Sequence, residues 1–235
     1  MKNRRIRYGF VWASLLLVCF SMQESAYAQT PDKHLNWGFR LGLNALSTTS
    51  YETEYKGEPV PNDSYTNKNG YLVNAFVRFN IKRVFLQPEL GWNYHRQGVS
   101  FTLPTDVENE FSSPIYADIA SSVARGNFLV GYSIVNKYPF FFGAYAGSSF
   151  SDTYKTKYSI RLNDDFEDRE FYLRTSGIVG FSVVIAKIYF DLRYEINLPD
   201  TDLDFNAIPG FPDNYKGVKL KKNENIISFS CGLLF

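Results

Sequence analysis

The chain has 235 residues, is 45% hydrophobic and carries a formal charge of +1. So even a balance excludes the basic surface that nucleic-acid binding requires, and ordinary apolar content excludes disorder over most of the length. The outlier is aromatic content, 17% of the chain from 17 Tyr, 21 Phe and 3 Trp.

Lys2, Arg4, Arg5 and Arg7 precede an apolar run, Phe10–Phe20. The run is about half the ~20 residues that a membrane-spanning helix needs. Ala26 and Ala28 then form a small-residue cleavage site. Together these describe a secretory signal peptide over residues 1–28, cleaved after Ala28. An acylated Cys19 would want a small residue before it, and Val18 stands there. Cleavage removes four positive residues and Glu24, taking the formal charge to −2 and leaving Cys231 as the one cysteine. An intrachain disulfide is then impossible.

From Trp37 onward the pattern is alternation, the mark of strands whose successive side chains point to opposite faces. Trp37–Ala45 sets Trp37, Phe39, Leu41 and Leu43 against Gly38, Arg40, Gly42 and Asn44. Tyr71–Asn80 sets Tyr71, Val73, Val77 and Phe79 against Asn74, Phe76 and Arg78. Arg83–His95 has an apolar parity, Val84 through Tyr94, and a mostly polar one with Gln87, Glu89, Asn93 and His95. Within it Pro88 removes one ladder donor, which implies a local bulge or kink. Asn127–Val135, Tyr138–Phe150 and Phe171–Ile185 alternate less cleanly, with Gly or Ser opposite Phe and Val. Lys187–Asn197 opposes Asp191, Arg193 and Glu195 to Phe190, Leu192 and Tyr194. The last segment, Ile227–Phe235, opposes Ser228, Ser230 and Gly232 to Phe229, Cys231 and Leu233.

These are eight strands of about ten residues, the length of a tilted transmembrane strand. Long gaps (46–70, 96–126, 151–170, 199–225) alternate with short ones at Ile81-Lys82, Asn136-Lys137 and Ala186-Lys187. That is the layout of an eight-stranded antiparallel up-and-down transmembrane β-barrel. Short turns then lie on the periplasmic side of an outer membrane and long loops outside. A soluble barrel would turn the apolar parity inward, but its aromatic volume exceeds what an eight-stranded interior holds. Trp37, Trp92, Tyr94, Tyr132 and Tyr194 fit the aromatic girdles of a membrane barrel. The expected location is the cell outer membrane. The expected partners are its lipid and, during insertion, the barrel-assembly machinery.

Trp37-Gly38-Phe39-Arg40-Leu41-Gly42-Leu43-Asn44 resembles the opening G-x-x-x-G-x-N strand of the PorT-like outer-membrane β-barrel family. Leu86-Gln87-Pro88-Glu89-Leu90 resembles its LQPEL strand, and Phe229–Phe235 its Gly-rich final strand. The resemblance implies the same barrel fold. Its founding member is associated with protein secretion and sorting, so an accessory role in secretion is one implied function.

The polar parity places Arg40, Arg78, Glu89, Asp191, Arg193 and Glu195 inside the barrel. Charges in so narrow a space must pair. They are expected to form a structural network that closes the lumen, the alternative being a narrow ion path. Catalytic residues are not expected. The weak exception is His95 near the outer rim, with Ser100, Ser148 or Ser149 as partner in a lipid-modifying enzyme. The chain has no HExxH, CxxC or phosphate-cradling Gly-Lys motif, and no cofactor is expected. Asp200, Asp202 and Asp204 could bind calcium weakly through oxygen ligands, without the Gly and distal Glu of an EF-hand. The long gaps also carry aromatics, among them Tyr51, Tyr55, Tyr65, Phe205, Phe211 and Tyr215. They make a candidate surface for a protein or glycan.

Overall fold

A computed structural model of the chain describes residues 34–60, 64–102, 115–160, 164–168, 173–198, 201–204 and 217–235. The expected leader and its cleavage site, Cys19 and Asp200 lie outside these residues. Eleven strands follow in chain order: β1 (Leu35–Tyr55), β2 (Glu58–Pro59), β3 (Ser64–Ile81), β4 (Val84–Phe101), β5 (Ile115–Lys137), β6 (Phe140–Ile160), β7 (Asp164–Asp168), β8 (Leu173–Ile185), β9 (Ile188–Asn197), β10 (Thr201–Asp204) and β11 (Val218–Leu234). Eight of them form one ring, β1-β3-β4-β5-β6-β8-β9-β11, with every neighbouring pair antiparallel. β11 returns to β1 and pairs with it from Gly38↔Leu234 to Tyr55↔Val218, so the sheet closes into an eight-stranded barrel.

Three turns join strands at one end: Lys82-Arg83, Tyr138-Pro139 and Ala186-Lys187. Lys82 and Ala186 each adopt a left-handed φ of 57°, which lets so short a connection match the strand twist. The middle turn lies two residues beyond the expected Asn136-Lys137. A bulge between Ser133 and Val135 adds a residue to β5, which then pairs to Lys137↔Phe140.

The larger correction concerns the other end. The expected strands were about ten residues long, but β1 has 21, β3 18, β4 18, β5 23, β6 21 and β11 17. Much of what read as long loops is strand. β1–β2 even ends in a tight hairpin, with Lys56 and Gly57 both at positive φ (52° and 89°).

In the lower half the sidedness is that of a membrane barrel. Outward residues are large, apolar and exposed: Leu41, Leu43, Val73, Leu90, Phe128, Phe181, Leu192 and Phe229. Leu90 in mid-belt is 74% exposed. Inward residues on the same strands are buried and include the charges described below. The interior is not wholly polar, however. Towards the tight turns Phe76, Phe141, Val184, Tyr189 and Leu234 pack into one apolar cluster. Phe85, Leu129, Tyr145 and Ile178 pack into another. Rings fit because glycine faces them: a methyl group on Gly131 would collide with the Phe85 ring, and one on Gly180 with the Tyr145 hydroxyl.

Above the belt the sidedness inverts. Leu46, Val99, Phe101, Ala117, Ile119, Val123, Val218 and Leu220 are all buried. The outward positions there carry Glu54, Lys68, Arg96, Asp118, Lys219 and Lys221, several in ion pairs: Lys68–Asp118 at 2.5 Å, Lys221–Glu54 at 2.6 Å and Lys219–Asp204 at 3.7 Å. This is the pattern of a sheet in water. The ring also divides. The β1–β3 ladder stops at Asn44↔Gly70 and the β8–β9 ladder at Ser176↔Asn197. Beyond those pairs the described ladders form two sheets, β2-β1-β11-β10 and β3-β4-β5-β6-β7. The lower barrel thus carries a water-facing upper storey with its own apolar interior.

Candidate functional site

At mid-height the inward side chains of opposite walls meet. Alternation brings Arg40 from β1, Glu89 from β4, and Asp191 and Arg193 from β9 to the axis. Glu89 is the hub. Its Oε2 accepts from Arg40 Nη2 (2.9 Å), Arg193 Nη1 (3.0 Å), Asn127 Nδ2 (2.8 Å) and Asn74 Nδ2 (3.5 Å). Its Oε1 accepts from Arg193 Nη2 (3.1 Å) and Gln87 Nε2 (2.7 Å). Asp191 is the second hub: Oδ1 accepts from Arg40 and from Arg193 Nε (3.1 Å), and Oδ2 from the hydroxyls of Tyr145 (2.6 Å) and Tyr189 (3.0 Å). Arg40 also donates to Ser230 Oγ at 3.0 Å.

Two guanidiniums and two carboxylates therefore sit side by side, each cation touching both anions, and their charges cancel. All four side chains are nearly or fully excluded from solvent. Such burial is tolerable because bidentate, charge-assisted bonds replace the lost hydration. β4 and β9 stand four places apart in the ring in either direction, so the Arg193–Glu89 contact spans the lumen from wall to opposite wall.

The other two expected lumen residues lie at the edges of this group. Arg78 donates to Gln87 Oε1 at 2.6 Å and to the Tyr189 hydroxyl at 3.4 Å, and its guanidinium lies 4.2 Å from the Phe85 ring centroid. Glu195 pairs with Arg125 of β5. Arg125 lies two residues before the alternating segment Asn127–Val135, inside β5. It shares the parity of Asn127, which is the signal the sequence holds for it. Gln87, Asn127, Tyr145, Tyr189 and Ser230 join the network as uncharged partners, which alternation alone does not single out. Above the cluster, Asn74, Asn93, Arg125, Asn127 and Glu195 line a residual cavity of about 10 Å³, room for roughly one water.

The remaining candidates are scattered. His95 is buried on the inner face opposite Ser121. Ser149 shares that interior, whereas Ser100 and Ser148 take the outward parity of their strands. Asp204 lies 3.7 Å from Lys219, and Asp202 is opposite Lys221 in the ladder. Among the described residues no three His, Cys, Asp or Glu side chains are grouped so as to hold a metal ion. Of the candidate surface aromatics, Tyr55 is half-buried, with Lys56 over its ring at 5.0 Å. Phe205, Phe211 and Tyr215 lie outside the described residues. Pro88 pairs in register with Phe128 without a bulge.

No curated protein matches the chain in sequence. Among solved structures it is similar to the outer membrane protein OprG from Pseudomonas aeruginosa, at 13% identity over 86% of this chain and 97% of that one, with a TM-score of 0.50. It is also similar to Ail of Yersinia pestis, solved with the heparin analogue sucrose octasulfate (14% identity, 86% and 100% covered, TM-score 0.38). A further similar structure is the outer membrane protease OmpT from Escherichia coli (10%, 89% and 99%, TM-score 0.43). At such identities the OprG likeness speaks for the fold alone. Residues 27–203 match the outer membrane protein beta-barrel domain, and with the closed barrel and its exposed apolar belt already in view, the chain belongs to that family of outer-membrane proteins.

Proposed function

We propose that this is a non-conducting outer-membrane barrel whose lumen is sealed and whose working surface is the outer storey, in a structural or recognition role. The observation that carries the reading is the Arg40–Glu89–Arg193–Asp191 cluster spanning opposite walls. Two sets of buried apolar residues support it: the ring-rich clusters below, packed where a water column would run, and Leu46, Val99, Phe101, Ile119 and Leu220 above. The tight turns face the periplasm and the long strands the exterior, after export by the leader and cleavage behind Ala28. The Trp37–Asn44 and Leu86–Leu90 motifs support placement within the PorT-like branch. Catalysis does not enter this reading, because His95 and Ser149 point into the packed interior rather than towards lipid. Recognition falls to the outer storey, where a protein or glycan would meet charged, partly paired strand faces. Single-channel recording on the purified full chain in planar bilayers tests the seal. No steady conductance is expected, and a reproducible open level would overturn the proposal.

A further inference from the structure

Between belt and outer storey, the outward face of β3–β6 changes character within one residue row. Leu90 pairs with Ala75 and Gly126, and Trp92 with Val73 and Ala124. Next come Tyr71 and Tyr94, opposite each other and stacked with ring centroids 4.9 Å apart. The row above holds Lys68 opposite Arg96, then Ala120, then Lys157. The side chains of Lys68 and Arg96 are 39% and 47% exposed.

We propose that Lys68 and Arg96 hold the phosphate of a phosphorylated lipid from the adjoining leaflet. Stacked tyrosines mark the depth at which lipid headgroups begin, and the basic pair sits directly above them. Asp118 already bridges the two, at 2.5 Å from Lys68 Nζ and 3.5 Å from Arg96 Nη2. An ammonium has three donors and a guanidinium five. One shared carboxylate uses only part of that donor capacity, and it shows that both cations converge on a single oxyanion. Lys157 extends the row, with Glu167 its ladder neighbour on β7. Asp152 lies lower on the same face and, together with Asp118, keeps that face from being a general anion trap. Below the row, Leu90, Ala124, Gly126 and Phe150, together with Ser151 and Asp152, line a mostly apolar groove of about 410 Å³. There the acyl chains of a lipid anchored at Lys68 and Arg96 lie against the wall. The inference needs the membrane setting that the family supplies, but not a sealed lumen, so a conducting barrel would leave it standing.

The test is native mass spectrometry of the full chain released from detergent micelles. The micelles are titrated with lipid A, with its dephosphorylated form, or with lipid A plus millimolar inorganic phosphate. The chain should retain lipid A at least tenfold more tightly than the dephosphorylated form, with inorganic phosphate failing to displace it. Lys68→Gln with Arg96→Gln should weaken lipid A binding about 30-fold, as expected for two cations near a lipid surface. Asp118→Asn should tighten binding severalfold, and serves if the double variant folds poorly. Equal retention of both lipid forms, or an Asp118→Asn variant no tighter than the parent, would overturn the proposal. Displacement by inorganic phosphate would overturn the lipid assignment.

Discussion

Glu89→Gln removes one charge from the centre of the lumen while keeping the side chain's shape. Glu89 accepts four hydrogen bonds at Oε2 and two at Oε1. A Gln amide must place its NH₂ at one of those two positions. At the Oε2 position it would confront donors from Arg40, Arg193, Asn127 and Asn74. At the Oε1 position it would confront Arg193 Nη2 and Gln87 Nε2. The second choice costs less but still strands a guanidinium N–H. Gln87 cannot rotate to help, because its own oxygen accepts from Arg78 Nε at 2.6 Å. Two lost bonds to a carboxylate, at roughly 1.5–2 kcal/mol each, come to about 3–4 kcal/mol. That agrees with the ~3–5 kcal/mol typical of breaking one side of a buried ion pair. The folded-to-unfolded ratio should fall a few hundredfold, at about 1.4 kcal/mol per decade. Reversible urea unfolding in lipid vesicles, followed by the fluorescence of lipid-facing Trp37 and Trp92, reads this directly. A loss below about 1 kcal/mol would refute the hydrogen-bond accounting, since it is less than a single charged bond is worth.

Arg125→Met should cost about 3 kcal/mol by leaving Glu195 buried without its cation, and adding Glu195→Leu should recover most of that. The same unfolding assay decides it; an unrecovered double variant would count against the pairing as the source of the cost. Leu220→Ala, in the buried interior of the outer storey, should destabilise by about 2–5 kcal/mol. It should also make residues above the belt cleavable by protease added outside vesicles, while the lower barrel stays protected. Cys231 is exposed on the lipid-facing wall between Leu41 and Phe190. A membrane-permeant apolar maleimide should label it in the folded, bilayer-embedded protein, whereas a charged maleimide should label it only after unfolding. Rapid labelling by the charged reagent in the folded state would place that wall in water.

The lower barrel was legible because a bilayer enforces one sign of alternation. On β9, every inward residue from Tyr189 to Glu195 is buried, and the even positions Ile188, Leu192 and Ile196 are exposed. The outer storey was not legible, for two physical reasons. Bulges between Thr48 and Ser50 on β1, and between Lys68 and Tyr71 on β3, shift the parity by one. At about the same height lipid gives way to water, which exchanges the polar and apolar faces. β4 shows the second effect alone: its odd residues stay inward throughout, yet they change from Glu89 and Asn93 to Val99 and Phe101. Membership of the ionic cluster was readable as parity for its charged residues. The ring-bearing partners Tyr145 and Tyr189 share the inward parity of their strands, but the pattern does not say which aromatics reach the axis to donate to Asp191.

The pairing of β1 with β11 has a consequence for how the barrel is made. Every other seam in the ring joins strands that are near neighbours along the chain, whereas this one joins residues such as Leu41 and Cys231 from opposite ends of the fold. Until β11 arrives, β1 and β9 each present a raw edge of amides and carbonyls. In hydrocarbon each such group costs several kcal/mol, so a seven-stranded intermediate has no resting place in the bilayer. Insertion must therefore wait on the last strand, or proceed with both open margins sheltered by another protein until they zip together.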